Sequence, residues 1–138
     1  MNLIYNPISL ERDQAFLADK LFNYNRACIQ DYGYESFCFK YADSSDAMVA
    51  GIDCQAGGGW LYIVSLWVAR DERTNNLDTK LLRAAEQKGV EKGCHSAYLY
   101  TYSFQSSVFY EKHGYFVFGQ LEGFCGEHRK VFMQKPLV

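Results

Sequence analysis

Residues 68–89 read VARDERTNNLDTKLLRAAEQKG, and the reading of this stretch decides the fold. Val68 and Ala69 close an apolar run that suits a strand. Leu77, Leu81, Leu82, Ala85 and Gly89 then keep one face small or apolar at helical spacing, while Lys80, Arg83, Glu86, Gln87, Glu91 and Lys92 keep another polar. The spacing predicts a helix over Leu77–Lys92, ended by Gly93. A strand that feeds a tight turn and a helix leaves backbone N–H groups unpaired at the positive end of the helix dipole. Such a turn attracts anions, phosphates above all. Phosphate turns favour glycine, which permits positive φ. This turn has Thr74, Asn76 and Asp78 instead. Asn75 and Asn76 are the residues best suited to replace glycine in left-handed backbone. Arg73 adds a cation. Asp78 either opposes a bound pyrophosphate or caps the helix itself, and a capped connection without any ligand is the alternative reading of the stretch.

Working outward, WLYIVSLWV ahead of the turn is rich in β-branched and aromatic residues, as a central strand buried on both faces requires. NLIYNPISL (2–10) reads as a short first strand that ends near Pro7. Ser9 can cap a helix carrying Phe16, Leu17, Ala18, Leu21 and Phe22, and a second short helix is expected around Tyr24–Gln30. ESFCFKYA and DAMVAGIDCQA read as strands, and Gly57, Gly58 and Gly59 turn the chain into the next. Beyond the long helix come a strand at SAYLYT, a short helix at SFQSSVFYEKH, a strand at YFVFGQL and a last strand at HRKVFMQKPLV. The order β-α-α-β-β-β-α-β-α-β-β places a mixed sheet in an α/β or α+β domain. With no linker, repeat or low-complexity segment, 1–138 reads as one domain.

Totals narrow the class. A chain of 138 residues with net charge -2 has no basic stripe for nucleic acid, however many aromatics it carries. The apolar run at 61–69 is broken by Ser65 and falls far short of a membrane span. The N-terminus has neither a basic start nor a long apolar segment of the secretory kind. Five cysteines, an odd number without a CxxC, read as reduced thiols in a cytoplasm. Cys125 and His128 form a C-x-x-H pair with no second pair at metal spacing, so no zinc site is expected.

TYSFQSSVFYEKHGYFVFG (101–119) resembles the second half of the GCN5-related N-acetyltransferases, the GNAT superfamily, in which a strand is followed by a helix ending in FYEK-x-GY and another strand. LWVARDERTNNLDTKLLRAAE (66–86) resembles the pyrophosphate motif Q/R-x-x-G-x-G/A of the same family, and the distance between the two motifs also fits. The resemblance covers about residues 60–138. It implies a sheet splayed between the strand at 60–69 and the strand at 96–101, with acetyl-CoA in the splay. The pantetheine arm would pair with Leu66, Trp67 and Val68. The pyrophosphate would sit on Arg73, Thr74, Asn75, Asn76, Leu77, Asp78 and Thr79. Ser103 stands where many members carry an asparagine that holds cofactor or water.

The implied activity is transfer of an acetyl group from acetyl-CoA to a primary amine of a small molecule by direct attack. The alternative is a non-catalytic protein of the same fold with a degenerate coenzyme A site. Tyr110 of FYEK matches the general-acid tyrosine; a phenol stays protonated at neutral pH and can donate to the departing thiolate. Its alternative role is packing beside Phe109. No general base stands out: His113, Glu35 and a water relay all remain open, and His95 reads as structural. Residues 21–37 would shape the acceptor pocket, with Tyr32, Tyr34 and Glu35 as candidate substrate contacts. The loop at 122–130 would form the opposite rim or a dimer contact. A homodimer is implied by the resemblance alone.

Overall fold

A computed structural model describes residues 1–7, 10–30 and 33–138. Its contacts divide into two units, Met1–Gly33 and Tyr34–Val138.

In the first unit one helix, α1, runs from Leu10 to Cys28. Glu11 and Asp13 lie in its first turn and Arg26 in its last, the charge order that the helix dipole favours. Two expectations are corrected here. The helix expected around Tyr24–Gln30 is not separate, because no proline or glycine interrupts LERDQAFLADKLFNYNRAC and the first helix simply continues to Cys28. Residues 2–7 form no strand. Their apolar residues, Leu3, Ile4 and Tyr5, are consecutive rather than alternating, Pro7 lacks an N–H, and no sheet strand pairs with them. Ser9, the expected cap, lies outside the described residues.

The second unit is built on a six-stranded mixed sheet: β1 (Glu35–Ala42), β2 (Met48–Gly57), β3 (Trp60–Val68), β4 (Ser96–Tyr102), β5 (Phe116–Phe124) and β6 (His128–Pro136), in the order β1-β2-β3-β4-β6-β5. Neighbours are antiparallel except β3 and β4, which run parallel. That parallel ladder has only three pairs: Trp60 with Ser96, Leu61 with Ala97, and Tyr62 with Tyr98. Beyond Tyr62 the two strands separate, giving the expected splay.

A β-bulge marks the place. Asp53 of β2 pairs with Ser65 and Cys54 with Ile63, so Val64 is an extra residue on β3. A bulge bends its strand and increases the local twist. It also shifts the side-chain phase by one. Leu61 and Ile63 are buried; past the bulge, Leu66 and Val68 pack on the same core, while Ser65 and Trp67 are exposed.

A turn of 3-10 helix at Arg70–Asn75 links β3 to α2 (Leu77–Glu91). α2 buries Leu77, Leu81, Leu82, Ala85 and Gly89, and it lies against β1, β2 and β3. A short helix, α3 (Ser107–Lys112), follows β4, and its Tyr110 joins the same core as Tyr115. None of the helices among the described residues is long and apolar enough to cross a membrane.

Gly89 sets the approach of α2 to β3. A Cβ at this position would stand 3.1 Å from Leu61 Cδ2 and 3.3 Å from Leu61 Cβ, and Leu61 is fully buried. Gly89→Val is therefore expected to destabilise the fold by about 1–3 kcal/mol through overpacking, measured by urea unfolding. A variant as stable as the parent contradicts this packing.

Candidate active site

The separation of β3 from β4 opens a cleft of about 650 Å³. Ile63–Val68 of β3 form one wall and Leu99–Tyr102 of β4 the other; Phe104, Gln105, Phe109 and Tyr110 close one side, and Arg73 and Asp78 stand at the turn. The β3 wall carries usable backbone. Ala69 N donates to Val49 O at 2.8 Å, so Ala69 and Val49 are a hydrogen-bonded antiparallel pair. Such pairs alternate with unbonded ones. Trp67 accordingly bonds to β2, whereas Leu66 and Val68 point their N–H and C=O groups into the opening. The Arg73 side chain donates from Nε to Val68 O at 3.4 Å, which holds its cation beside the end of β3.

At the head of α2, Asn76 adopts left-handed backbone with φ 54 and ψ 32, the role expected of an asparagine in place of glycine. Asp78 turns its carboxylate back and accepts from Thr79 N at 2.8 Å. Lys80 N donates to Asn76 O. These two bonds leave the N–H groups of Leu77 and Asp78 without a partner inside the helix. The carboxylate thus takes one of the donors that an anion would use and leaves others at the same turn.

Tyr110 is buried in the wall of the cleft. Its ring packs edge-on against Phe109 at 5.1 Å and Tyr115 at 5.7 Å. Burial, and after it the negative charge of Asp78, push the phenol pKa up to about 12. The group is therefore held in its proton-donating form. Gln105 fixes the loop that leads to α3: its Oε1 accepts from Thr101 Oγ1 at 3.2 Å and from Tyr102 N at 3.3 Å.

A model of the acetyltransferase (GNAT) family matches residues 5–115. The chain belongs to this family. The match runs across both structural units. Among similar proteins, the Agrobacterium fabrum protein named acetyltransferase Atu2258 is 25% identical over 121 residues, 88% of each chain. The crystal structure of an acetyltransferase from Bacillus cereus has a TM-score of 0.86 at 27% identity and covers 99% of this chain and 98% of its own. A structure from Agrobacterium tumefaciens reaches a TM-score of 0.92 at 23% identity over 99% of both chains, a likeness of fold.

Within this GNAT frame, Leu66, Trp67, Val68, Arg73, Asp78 and Tyr110 meet at the cleft. Thr74, Asn75, Asn76, Leu77 and Thr79 shape the turn beside it without forming its wall. Asn75 donates to Glu72 Oε2 at 2.8 Å, and Leu77 is buried. Thr79 Oγ1 is hydrogen-bonded to His113 Nε2 at 3.2 Å, which ties α2 to the end of α3; the His113 ring also packs on Phe109. His113 thus serves as a clamp between helices. Ser103 is committed to β6: its N donates to Arg129 O and its Oγ accepts from Arg129 N, both at 2.9 Å.

Glu35 forms an ion pair at 2.5 Å with Lys92, at the C-terminal end of α2 and so at the opposite end of that helix from Asp78. Lys92, then, holds the Glu35 carboxyl below its usual range. Tyr34 is exposed and lines no part of the cleft, and Tyr32 lies outside the described residues. Sequence reasoning missed Gln105 and the aromatic wall of Tyr100, Tyr102 and Phe104. A tyrosine at every second residue of SAYLYTY was the available signal.

Because the Asp78 charge disfavours the phenolate, Asp78→Asn is expected to lower the Tyr110 pKa. An alkaline titration of tyrosinate absorbance, with Tyr110→Phe subtracted to isolate the group, checks this; an unchanged or raised value contradicts the coupling.

Proposed function

We propose that the chain transfers the acetyl group of acetyl-CoA to a primary amine of a small molecule by direct attack. The observation that carries this reading is the opened β3–β4 seam, with the Leu66 and Val68 backbone turned away from β2 on one wall and a protonated phenol in another. A solved aminoglycoside 6'-N-acetyltransferase of this fold, 20% identical with a TM-score of 0.67, is complexed with coenzyme A.

The residues present fit such a donor. An extended chain of amides can add to a free strand edge, and Leu66 and Val68 offer one. The Arg73 cation and the free N–H groups at the head of α2 suit a pyrophosphate. When bound, acetyl-CoA supplies an activated thioester. The Leu66 N–H polarises the thioester carbonyl, as oriented amides do for a developing oxyanion. The amine nitrogen forms a bond to the acetyl carbon while the carbon–sulfur bond breaks. Tyr110 would give its proton to the departing sulfur, and the proton lost by the amine would restore the phenol by way of solvent.

Cytoplasmic residence and a homodimer extend the same reading. Five free cysteines, two of them buried, support the first; family resemblance supports the second.

Two measurements test the proposal. Tyr110→Phe is expected to lower kcat by roughly 10²–10³-fold with little change in KM for acetyl-CoA; equal losses in both parameters, or none, contradict the donor role. Acetyl-CoA at about 100 times its Kd is expected to stabilise the fold by about 2.7 kcal/mol, seen as a raised Tm. A flat Tm at saturating donor favours a binding protein with a degenerate site.

A further inference from the structure

The face of the sheet that carries Tyr100 and Tyr102 holds a cation of its own. Lys130 of β6 pairs in register with Tyr102 of β4. Its Nζ lies 3.9 Å from the centre of the Tyr100 ring, with Phe124 and Phe132 each at 5.7 Å. The residue is half-buried. Among the described residues no carboxylate lies within ion-pair distance of it. Further rings adjoin it: Tyr102 stacks on Phe104 at 5.3 Å and on Phe124 at 5.3 Å, and His128 stands edge-on to Phe104 at 4.8 Å.

Tyr100, Tyr102 and Phe104 line the cleft, so this cage shares one side with it, although Lys130, Phe124 and Phe132 are not among the lining residues. It is also separate from the Arg73 turn. Leu99 and Thr101 face the core that α2 covers, and by strand alternation Tyr100 and Tyr102 face the opposite side.

Rings hold an ammonium but accept its hydrogen bonds only weakly, so the three N–H donors of Lys130 keep capacity for an anion. A free cationic acceptor arriving here would meet a like charge in the position that aromatic rings would otherwise offer it.

We propose that Lys130 is the anion-recognising residue of the acceptor site, and that the acceptor is an amine that also carries a carboxylate or comparable anionic group. This rests on the acetyltransferase reading given above. Lys130 acts by binding the acceptor and takes no part in bond-making.

The test uses the full chain with acetyl-CoA and three panels of amines of matched length: ω-amino carboxylates, alkylamines and diamines. The parent protein is expected to favour the amino carboxylates in kcat/KM by about tenfold or more. Lys130→Met is expected to abolish that preference through KM, Lys130→Arg to keep it with the fold intact, and Lys130→Glu to turn it towards diamines. An unchanged preference in Lys130→Met overturns the inference, as does a parent that prefers diamines. If acetyl-CoA raises Tm but no panel is acetylated, the acceptor class is wrong and the donor reading stands. If acetyl-CoA leaves Tm unmoved, the donor reading fails and takes this inference with it.

Discussion

The structure depends on a ladder that stops. β3 and β4 share three residue pairs and then part, although both strands continue. Leaving strand backbone unpaired inside a sheet is costly unless water or a ligand takes the open groups. The protein accepts that cost at one seam and secures the strands on either side. β3 is held by β2 along its length, and β4 by all seven of its pairs with β6. The bulge at Val64 supplies the bend, and α2 and Tyr110 pack the core beneath it. The cleft is therefore a property of how the sheet is assembled, and its walls are rigid elements on both sides.

Charge is distributed across that opening in a way that separates tasks. Arg73 and the head of α2 stand at one end, where a carboxylate at position 78 is folded back onto a neighbouring N–H. The same carboxylate acts on Tyr110, reinforcing what burial already does to the phenol. One acidic residue at the turn thus weakens the pull on an anion and strengthens the hold on a proton. Across the sheet, Lys130 sits among rings with no acidic partner among the described residues, which gives that face a sign of its own.

The sequence showed the parts whose signals are local. The six sheet-and-helix segments from β3 to β6 carry strong periodicity or a tight motif, and FYEKHGY pointed to Tyr110, which lies in the wall of the cleft. The first helix runs on past the expected break because Asn23 and Asn25 do not interrupt a helix as proline or glycine would. The first strand was misjudged because a strand exists only through a partner, which no local pattern names. The bulge was legible in principle: Leu61, Ile63, Leu66 and Val68 change phase by one residue at Val64. Lys130 and the Glu35–Lys92 pair were not, since each acts through residues distant in sequence that only the folded sheet brings near; Gln105 bonds locally, to Thr101 and Tyr102, but in no recognisable motif.

The central claim is that the edge of β3 facing the seam is free to receive an extended ligand. Residue-resolved amide hydrogen exchange with and without saturating coenzyme A tests it most directly. The account predicts that the Leu66 and Val68 amides become markedly slower on binding, while the Trp67 amide, already bonded to β2, changes little. Equal effects on all three, or slowing confined to residues outside the seam, would contradict it.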